Sequence, residues 1–138
     1  MLYAILCYEA EDIGWWSSAL DDAIMNDRAR RESGLAIRGE IGPVVWLMPT
    51  TTALTIRSGR RRVVLDGPYA ETKEQLLGLY VVDCDSLTEA IDTAMALAQG
   101  SGTMEIRPIR QFRDTGSAGE FASRLRRTSR SAHKRDAP

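Results

Sequence analysis

Two short runs of this chain are apolar at every position, and they restrict the fold more than any other feature. Residues 2–8 carry apolar or aromatic side chains on both alternating sets, and residues 79–82 do the same. Successive side chains of a strand point to opposite faces of its sheet, so a run that is apolar throughout is typical of a strand covered on both faces. We therefore predict two doubly covered strands, at 2–8 and 78–83.

The clearest helix signal is a capping box. Ser86 is followed three residues later by Glu89, a pair in which each side chain can accept a hydrogen bond from the other's backbone N–H. A helix that starts here and ends at Gly100 would bury one apolar stripe. The predicted stripe comprises Leu87, Ala90, Ile91, Ala94, Leu97 and Ala98.

A first helix is predicted at 18–33, with Ser17-Ser18 as its cap and Gly34 as its end. The other predicted elements are a strand at 35–41 ended by Gly42-Pro43, a packed connection or short strand at 44–48, a hairpin with arms at 53–57 and 61–65, a helical turn near 72–75 and a strand at 103–109.

This order of elements predicts an α+β fold, namely a ferredoxin-like βαββαβ plan with an inserted hairpin. Two helices can cover only one face of the sheet, yet strands 2–8 and 78–83 are apolar on the other face as well. A second copy packed sheet to sheet would cover that face. We therefore predict a homodimer that uses the sheet face.

Composition limits the class of protein. The chain has 138 residues, of which 43% are hydrophobic and 27% charged, and these values are typical of one soluble globular domain. No apolar run approaches the roughly 20 residues that span a bilayer, and the N-terminal residues lack the features of a secretory signal. We expect a cytoplasmic protein with no membrane partner.

Cys7 and Cys84 suit neither a metal site nor a disulfide framework, and we expect buried, inert thiols.

The charge is divided unevenly along the chain. Residues 113–138 hold seven Arg or Lys and three Asp or Glu, whereas residues 1–112 carry a net charge of −5. We predict a domain at 1–112 and a basic, flexible tail at 113–138 with a short helix around 119–127. Nucleic acid is an unlikely partner, because a recognition helix, an aromatic platform and zinc spacing are all missing from the sequence. Arg60-Arg61-Arg62 at the hairpin tip either attract an anion or form a solvated end.

Polar groups concentrate between two apolar runs, in residues 66–78. Asp66 at a strand end is a candidate general base or hydrogen-bond anchor, and the alternative is that its carboxylate caps its own turn. Glu71 and Lys73 either clamp a polar ligand or are solvated charges. Tyr69 either closes a pocket or packs as an ordinary amphipathic ring, and packing is favoured.

Partners for Asp66 would come from Tyr8, Glu9 or Lys73. Of the adjacent Trp15 and Trp16, one is expected to pack at the helix entry and the other, for which we favour Trp16, to line a pocket mouth or the dimer contact. The sequence lacks a phosphate loop, a Ser/His/Asp set, a zinc motif and a dinucleotide fingerprint, so we expect neither a cofactor nor a metal.

Residues 66–75, Asp-Gly-Pro-Tyr-Ala-Glu-Thr-Lys-Glu-Gln, closely resemble the signature of the YCII-related proteins of the DGPF type, with Tyr69 in place of the usual Phe. A looser resemblance runs from Met1 to about Arg110. It implies a dimeric α/β barrel in which Asp66 is the suspected functional carboxylate. In the small YCII subfamily this Asp pairs with a first-strand histidine, but the single histidine here is His133 in the tail, so that dyad is not carried over.

Together these features predict a small cytoplasmic homodimer that binds a small polar or aromatic molecule near Asp66. As an enzyme it would transform that molecule by metal-independent acid/base chemistry through Asp66. The alternative is an accessory protein in transcriptional control, because the resemblance implies an association with extracytoplasmic-function sigma factors.

Overall fold

Six strands and two helices follow one another in the residues that the computed structural model describes, which are 1–11, 18–36, 41–98 and 102–113. In chain order they are β1 (Leu2–Glu9), α1 (Ser18–Ala36), β2 (Ile41–Trp46), β3 (Leu54–Arg57), β4 (Val63–Asp66), β5 (Gln75–Asp83), α2 (Leu87–Leu97) and β6 (Thr103–Pro108).

Four of the strands form one antiparallel sheet in the order β2-β5-β1-β6. The other two, β3 and β4, pair only with each other and are inserted between β2 and β5. The two long apolar strands, β1 and β5, are neighbours at the centre. The predicted ferredoxin-like α+β plan with an inserted hairpin is therefore confirmed.

The hydrophobic core lies between this sheet and the two helices. Tyr3 and Ile5 of β1 stand opposite Val82 and Tyr80 of β5, and this set packs in one cluster with Leu35 of α1 and with α2. The other face of the central strands is also apolar. It carries Leu2, Ala4, Leu6, Leu79 and Val81.

Helix α1 is longer than predicted. It continues through Gly34 to Ala36, because Leu35 is buried in the core and this packing gain outweighs the low helix propensity of glycine. The predicted helix end at Gly34 and the start of the predicted 35–41 strand at Leu35 were therefore wrong, whereas Ile41, its last residue, begins β2. Residues 37–40 lie outside the described part of the chain.

Strand β2 runs through Gly42-Pro43, which had been expected to end a strand. Its register with β5 shifts between Ile41 and Val44, so the two intervening residues are accommodated in a bulge. Since β2 lies at the sheet edge, the missing N–H of Pro43 removes no interior ladder hydrogen bond. The segment 44–48, left open as a connection or short strand, thus belongs to β2 as far as Trp46.

The capping box at α2 forms with one change. The Ser86 hydroxyl oxygen accepts a hydrogen bond from the Glu89 N–H at 3.1 Å, as predicted. The Glu89 carboxylate accepts instead from the N–H of Asp85, at 2.6 Å, one residue before the predicted donor.

The buried stripe of α2 also differs from the predicted one. Ala90, Ala94 and Leu97 are buried as expected, and Thr93 joins them. Leu87, Ile91 and Ala98 are exposed, and Ala98 lies just after the helix. The sheet contacts a narrower arc of the helix than the apolar pattern suggested, so the ridge at Leu87 and Ile91 faces outward.

The segment around 72–75 is not helical, because the backbone bends at Lys73 and Glu74 and then enters a strand. β5 already begins at Gln75, whose side-chain amide donates to the Thr72 carbonyl at 2.9 Å. A short 3₁₀ turn at Thr50–Thr52, which the sequence did not reveal, stands nearby. The Glu11 carboxylate accepts from the N–H of Thr50 at 2.9 Å and from its hydroxyl, and so satisfies the start of that turn.

Several predicted features lie outside the described residues, namely Ser17, Trp15, Trp16, Gly100 and residues 114–138. The tail and its boundary therefore stay predictions. Neither helix in the described part of the chain is long and apolar enough to cross a bilayer.

Gly78 provides a test of the packing of the central sheet. A Cβ at this position would lie 2.4 Å from the Val45 carbonyl oxygen and 2.4 Å from the Trp46 ring. We expect Gly78→Ala to lower the free energy of unfolding by about 1–3 kcal/mol, because the backbone oxygen cannot move aside. The measurement is urea unfolding monitored by tryptophan fluorescence.

The matched control is Gly34→Ala, where a Cβ meets nothing within 4 Å inside a helix. That substitution should raise the free energy of unfolding by about 0.5–1 kcal/mol. Equal effects at the two glycines would contradict the packing described here.

Candidate functional site

The signature begins with a turn that is fixed to the base of the hairpin. Gly67 follows β4 with a φ of 99°, a conformation that side-chain-bearing residues rarely adopt. Its N–H donates to the Ala53 carbonyl at 2.8 Å, and its own carbonyl accepts from the Thr55 hydroxyl at 2.8 Å. These bonds hold Pro68 and Tyr69 in a defined position beside the connection that leads into β3.

An open cleft of about 640 Å³ lies between this turn and the end of β1. Its wall comes from three parts of the chain, namely Tyr8, the segment 47–53 and the signature with its continuation into β5. The lining residues are Tyr8, Leu47, Met48, Pro49, Thr50, Thr52, Ala53, Pro68, Tyr69, Ala70, Thr72, Glu74, Gln75 and Leu76.

The cleft combines an apolar wall with polar groups at its border. Leu47, Met48 and Pro49 supply apolar surface, whereas Thr72 and Glu74 supply hydroxyl and carboxylate groups. Ligand sites of this size usually have mostly apolar linings with a few fixed polar groups that orient the ligand. The arrangement is suited to a small organic molecule.

The cleft brings together two of the predicted ligand-binding residues, Tyr8 and Tyr69. The Tyr69 ring is 82% exposed, and the Arg57 guanidinium carbon lies 6.0 Å from its centre. This exposure disagrees with the favoured expectation that Tyr69 packs, since the turn holds the ring outward. Trp16, a third predicted ligand-binding residue, lies outside the described residues.

Asp66, Glu71 and Lys73 are exposed and do not line the cleft. Asp66 is the last residue of β4 and stands opposite Leu54 at the base of the hairpin. The ion pairs among the described residues do not include one between Glu71 and Lys73. Whether these two side chains clamp a polar ligand or are solvated charges stays a prediction.

A buried ionic cluster lies behind the cleft, and sequence reasoning did not identify it. Arg28 of α1 is buried, its guanidinium carbon lies 4.1 Å from the centre of the Trp46 ring, and its Nη2 lies 4.0 Å from Glu9 Oε2. A buried guanidinium is costly unless a carboxylate or an aromatic face compensates it, and both are present here. The sequence did contain one indication that Arg28 is buried. Arg28 precedes the core residue Leu35 by seven positions and therefore shares its face of the helix.

Tyr80 extends the cluster across the sheet. Its hydroxyl donates to Glu32 Oε1 at 3.2 Å, and its ring meets Trp46 edge to face with centroids 5.4 Å apart. Burial first, and the Glu32 carboxylate second, raise the pKa of the Tyr80 phenol. Burial likewise raises the pKa of Glu9, while the Arg28 guanidinium opposes that shift.

Tyr8 lines both the cleft and a second, small cavity. That cavity of about 30 Å³ also borders Cys7, Glu9 and Arg28, and it has room for about one water molecule. We interpret the buried cluster as support for the cleft wall, because its cavity is too small for an organic ligand.

Among the described residues, no group of three His, Cys, Asp or Glu side chains is placed to hold a metal ion.

Cys7 gives a chemical test of this buried environment. Burial raises the pKa of its thiol from 9.0 to about 11, and Arg28 opposes the shift. Alkylation requires the thiolate, so at pH 9 the native thiol should react with iodoacetamide about 50-fold more slowly than the same thiol in urea.

The experiment uses a Cys84→Ser background, because Cys84 is a second buried cysteine that forms no disulfide with Cys7. The native rate should rise with pH until about pH 11, where the folded thiol ionises. A native rate that levels off near pH 9 would contradict the burial of Cys7.

Comparison with known proteins bears out the resemblance carried by residues 66–75. The family profile described as YCII-related domain matches residues 1–113. An uncharacterized protein of Rhizobium meliloti (strain 1021) is 44% identical over an alignment of 118 residues, and the match covers 82% of this chain and 95% of that protein. Because the profile covers the sheet, the two helices and the inserted hairpin, this chain belongs to the family of YCII-related domains.

Proposed function

We propose that this protein is a small cytoplasmic homodimer that binds a small polar or aromatic molecule in the cleft beside its signature. The observation that carries the proposal is the cleft itself, about 640 Å³ in volume and walled by Pro68, Tyr69 and Ala70 of the signature. This volume lies within the range of about 300–1,000 Å³ that small-molecule sites occupy.

The lining indicates the kind of molecule. An apolar or aromatic body would contact Leu47 and Met48, and the rings of Tyr8 and Tyr69 would lie at its sides. A hydroxyl or amine on the ligand would find an acceptor in the Glu74 carboxylate. A phenol or an aromatic amine satisfies both requirements.

In this proposal Asp66 lies at the rim of the cleft. Its exposed carboxylate directly precedes the fixed Gly67-Pro68 turn, so it is accessible to a polar group that projects from the cleft. A carboxylate there can anchor the ligand or accept a proton from it without a metal. Tyr8 supplies a hydroxyl on the opposite side of the cleft.

The homodimer is proposed from the face of the sheet that the helices leave uncovered. Leu6, Leu79 and Val45 lie on that face, and Val45 is 42% exposed. Contiguous apolar surface of this kind is typical of protein interfaces. A second copy of the same sheet would bury it under two-fold symmetry.

The cleft is tested by filling it. Ala70→Trp should remove the binding of small phenols and aromatic amines, because the new indole would occupy the volume beside Tyr69. We would screen these compounds by thermal shift, since a ligand that binds only the native state raises the midpoint with concentration. Hits would be measured by calorimetry.

Ala96→Trp is the matched control, because Ala96 is exposed on α2 away from the cleft and should leave binding unchanged. Asp66→Asn should lower the affinity for the same compounds about tenfold while the fold is retained, because one charge-assisted hydrogen bond is lost. Binding that survives in Ala70→Trp would refute the site. If none of the compounds stabilises the wild type, the accessory role with a sigma factor would be the better proposal.

The dimer is tested by placing a charge in the sheet face. Val45→Glu should convert a two-fold mass into a monomeric mass in light scattering at micromolar concentration, because the carboxylate would be buried without a partner. Met25→Glu is the matched control, since Met25 is also 42% exposed but lies on α1. A monomeric wild type would contradict the proposal.

A further inference from the structure

The inserted hairpin leaves an unusually large part of its apolar surface uncovered. We call residues 54–66 the arm. In its register Ile56 stands opposite Val64 and Leu54 opposite Asp66, so Leu54, Ile56 and Val64 share one face. These three side chains are between 62% and 66% exposed. A two-stranded ribbon is marginally stable in water by itself, so an uncovered apolar face on such a ribbon suggests a docking partner.

The arm is also strongly basic. Residues 54–66 contain four arginines, Arg57, Arg60, Arg61 and Arg62, and one acidic residue, Asp66, so the arm carries a net charge of +3. All four arginines are exposed. The sequence left open whether the tip arginines attract an anion or form a solvated end. Their position next to an apolar face favours a partner surface that is both apolar and acidic.

The chain itself carries such a surface on α2. Leu87, Ile91 and Met95 follow one another at a spacing of four residues and are between 37% and 70% exposed. Side chains four apart on a helix are neighbours, so these three form one continuous strip, which we call the α2 ridge. Two of its three residues, Leu87 and Ile91, belong to the stripe that the apolar pattern had assigned to the core.

Acidic residues are frequent in the sequence around the α2 ridge. Residues 83–105 contain five Asp or Glu and no Lys or Arg. Asp92, next to Ile91, lies on the side of the ridge away from the buried face, and Asp85 precedes the helix. Both are exposed. The surroundings of the ridge are therefore net acidic, whereas the arm is net basic.

We propose that the arm of one copy docks on the α2 ridge of a second copy. The contact is between copies because both surfaces are exposed within a single chain. The free sheet face is a poorer site for the arginines, since its charged side chains on β6, Arg107 and Glu105, already pair with each other at 3.5 Å. With a two-fold axis between the copies, each arm would contact the ridge of the other copy, so the assembly would be a closed pair. This interface is separate from the proposed sheet-face dimer.

Trapping the contact between two different variants tests this directly. Ile56→Cys protein is mixed with Met95→Cys protein under mild oxidation by copper phenanthroline, and a covalent dimer containing one copy of each should form. Ile56→Cys mixed with Ala96→Cys is the matched control, because Ala96 is exposed on the same helix but off the ridge. The native thiols, Cys7 and Cys84, are buried and should not contribute.

Loss of the mixed dimer from the Met95 pair, or equal yields from the Met95 and Ala96 pairs, would overturn the proposal. The same trapping in a Val45→Glu background separates this contact from the sheet-face dimer. The mixed product should persist there even though the sheet face is disrupted. A product that disappears with Val45→Glu would assign the contact to the sheet-face assembly and would also overturn the proposal.

Charge reversal tests the electrostatic part. Changing Arg60, Arg61 and Arg62 to Glu should lower the yield of mixed dimer at least tenfold, and changing Asp85 and Asp92 to Lys should do the same. Combining the reversed arm with the reversed ridge should restore the yield, because the charges are again opposite. Failure of the combined pair to recover would contradict the proposed complementarity.

Discussion

The contact between the Arg28 guanidinium and the Trp46 ring determines much of the arrangement around the site. It joins α1 to the edge strand β2, and the Glu9 carboxylate joins the same guanidinium to β1. A charge buried at this depth is stable only while both partners stay in place, because its desolvation must be compensated. The cluster therefore couples the helix to two strands and keeps the end of β1, where Tyr8 enters the cleft, in a fixed position.

The position of the Trp46 ring also explains why residue 78 is a glycine. The Trp46 ring lies over the central strand β5, and a methyl group at position 78 would overlap both the ring and the Val45 carbonyl. Glycine at the last position of the 66–78 segment is thus needed for packing, while Gly67 near its start is needed for backbone conformation. Two glycines of one short segment therefore have different physical roles, one in packing and one in backbone conformation.

The sequence was informative where a local pattern sufficed. The central strands, the hairpin and the Ser86 cap were predictable because strand alternation and capping depend on neighbouring residues. The end of α1 was not, since it depends on the burial of Leu35 by distant strands. Nor was the cleft, which depends on contacts between separate segments. Glu11 reaches the Thr50 turn and Gly67 binds Ala53, and no spacing in the sequence reveals such pairs.

The error on α2 has a physical explanation that links fold and surface. A helix packed on a sheet in a chain this small buries about one third of its circumference, here the arc of Ala90, Ala94 and Leu97. Leu87 and Ile91 extend the apolar arc beyond that limit, so the monomer cannot cover them. The arm has the same property, since Leu54, Ile56 and Val64 exceed what a two-stranded ribbon can bury. Apolar side chains in excess of the available core are uncovered at two sites of opposite charge, and a contact between copies would relieve both.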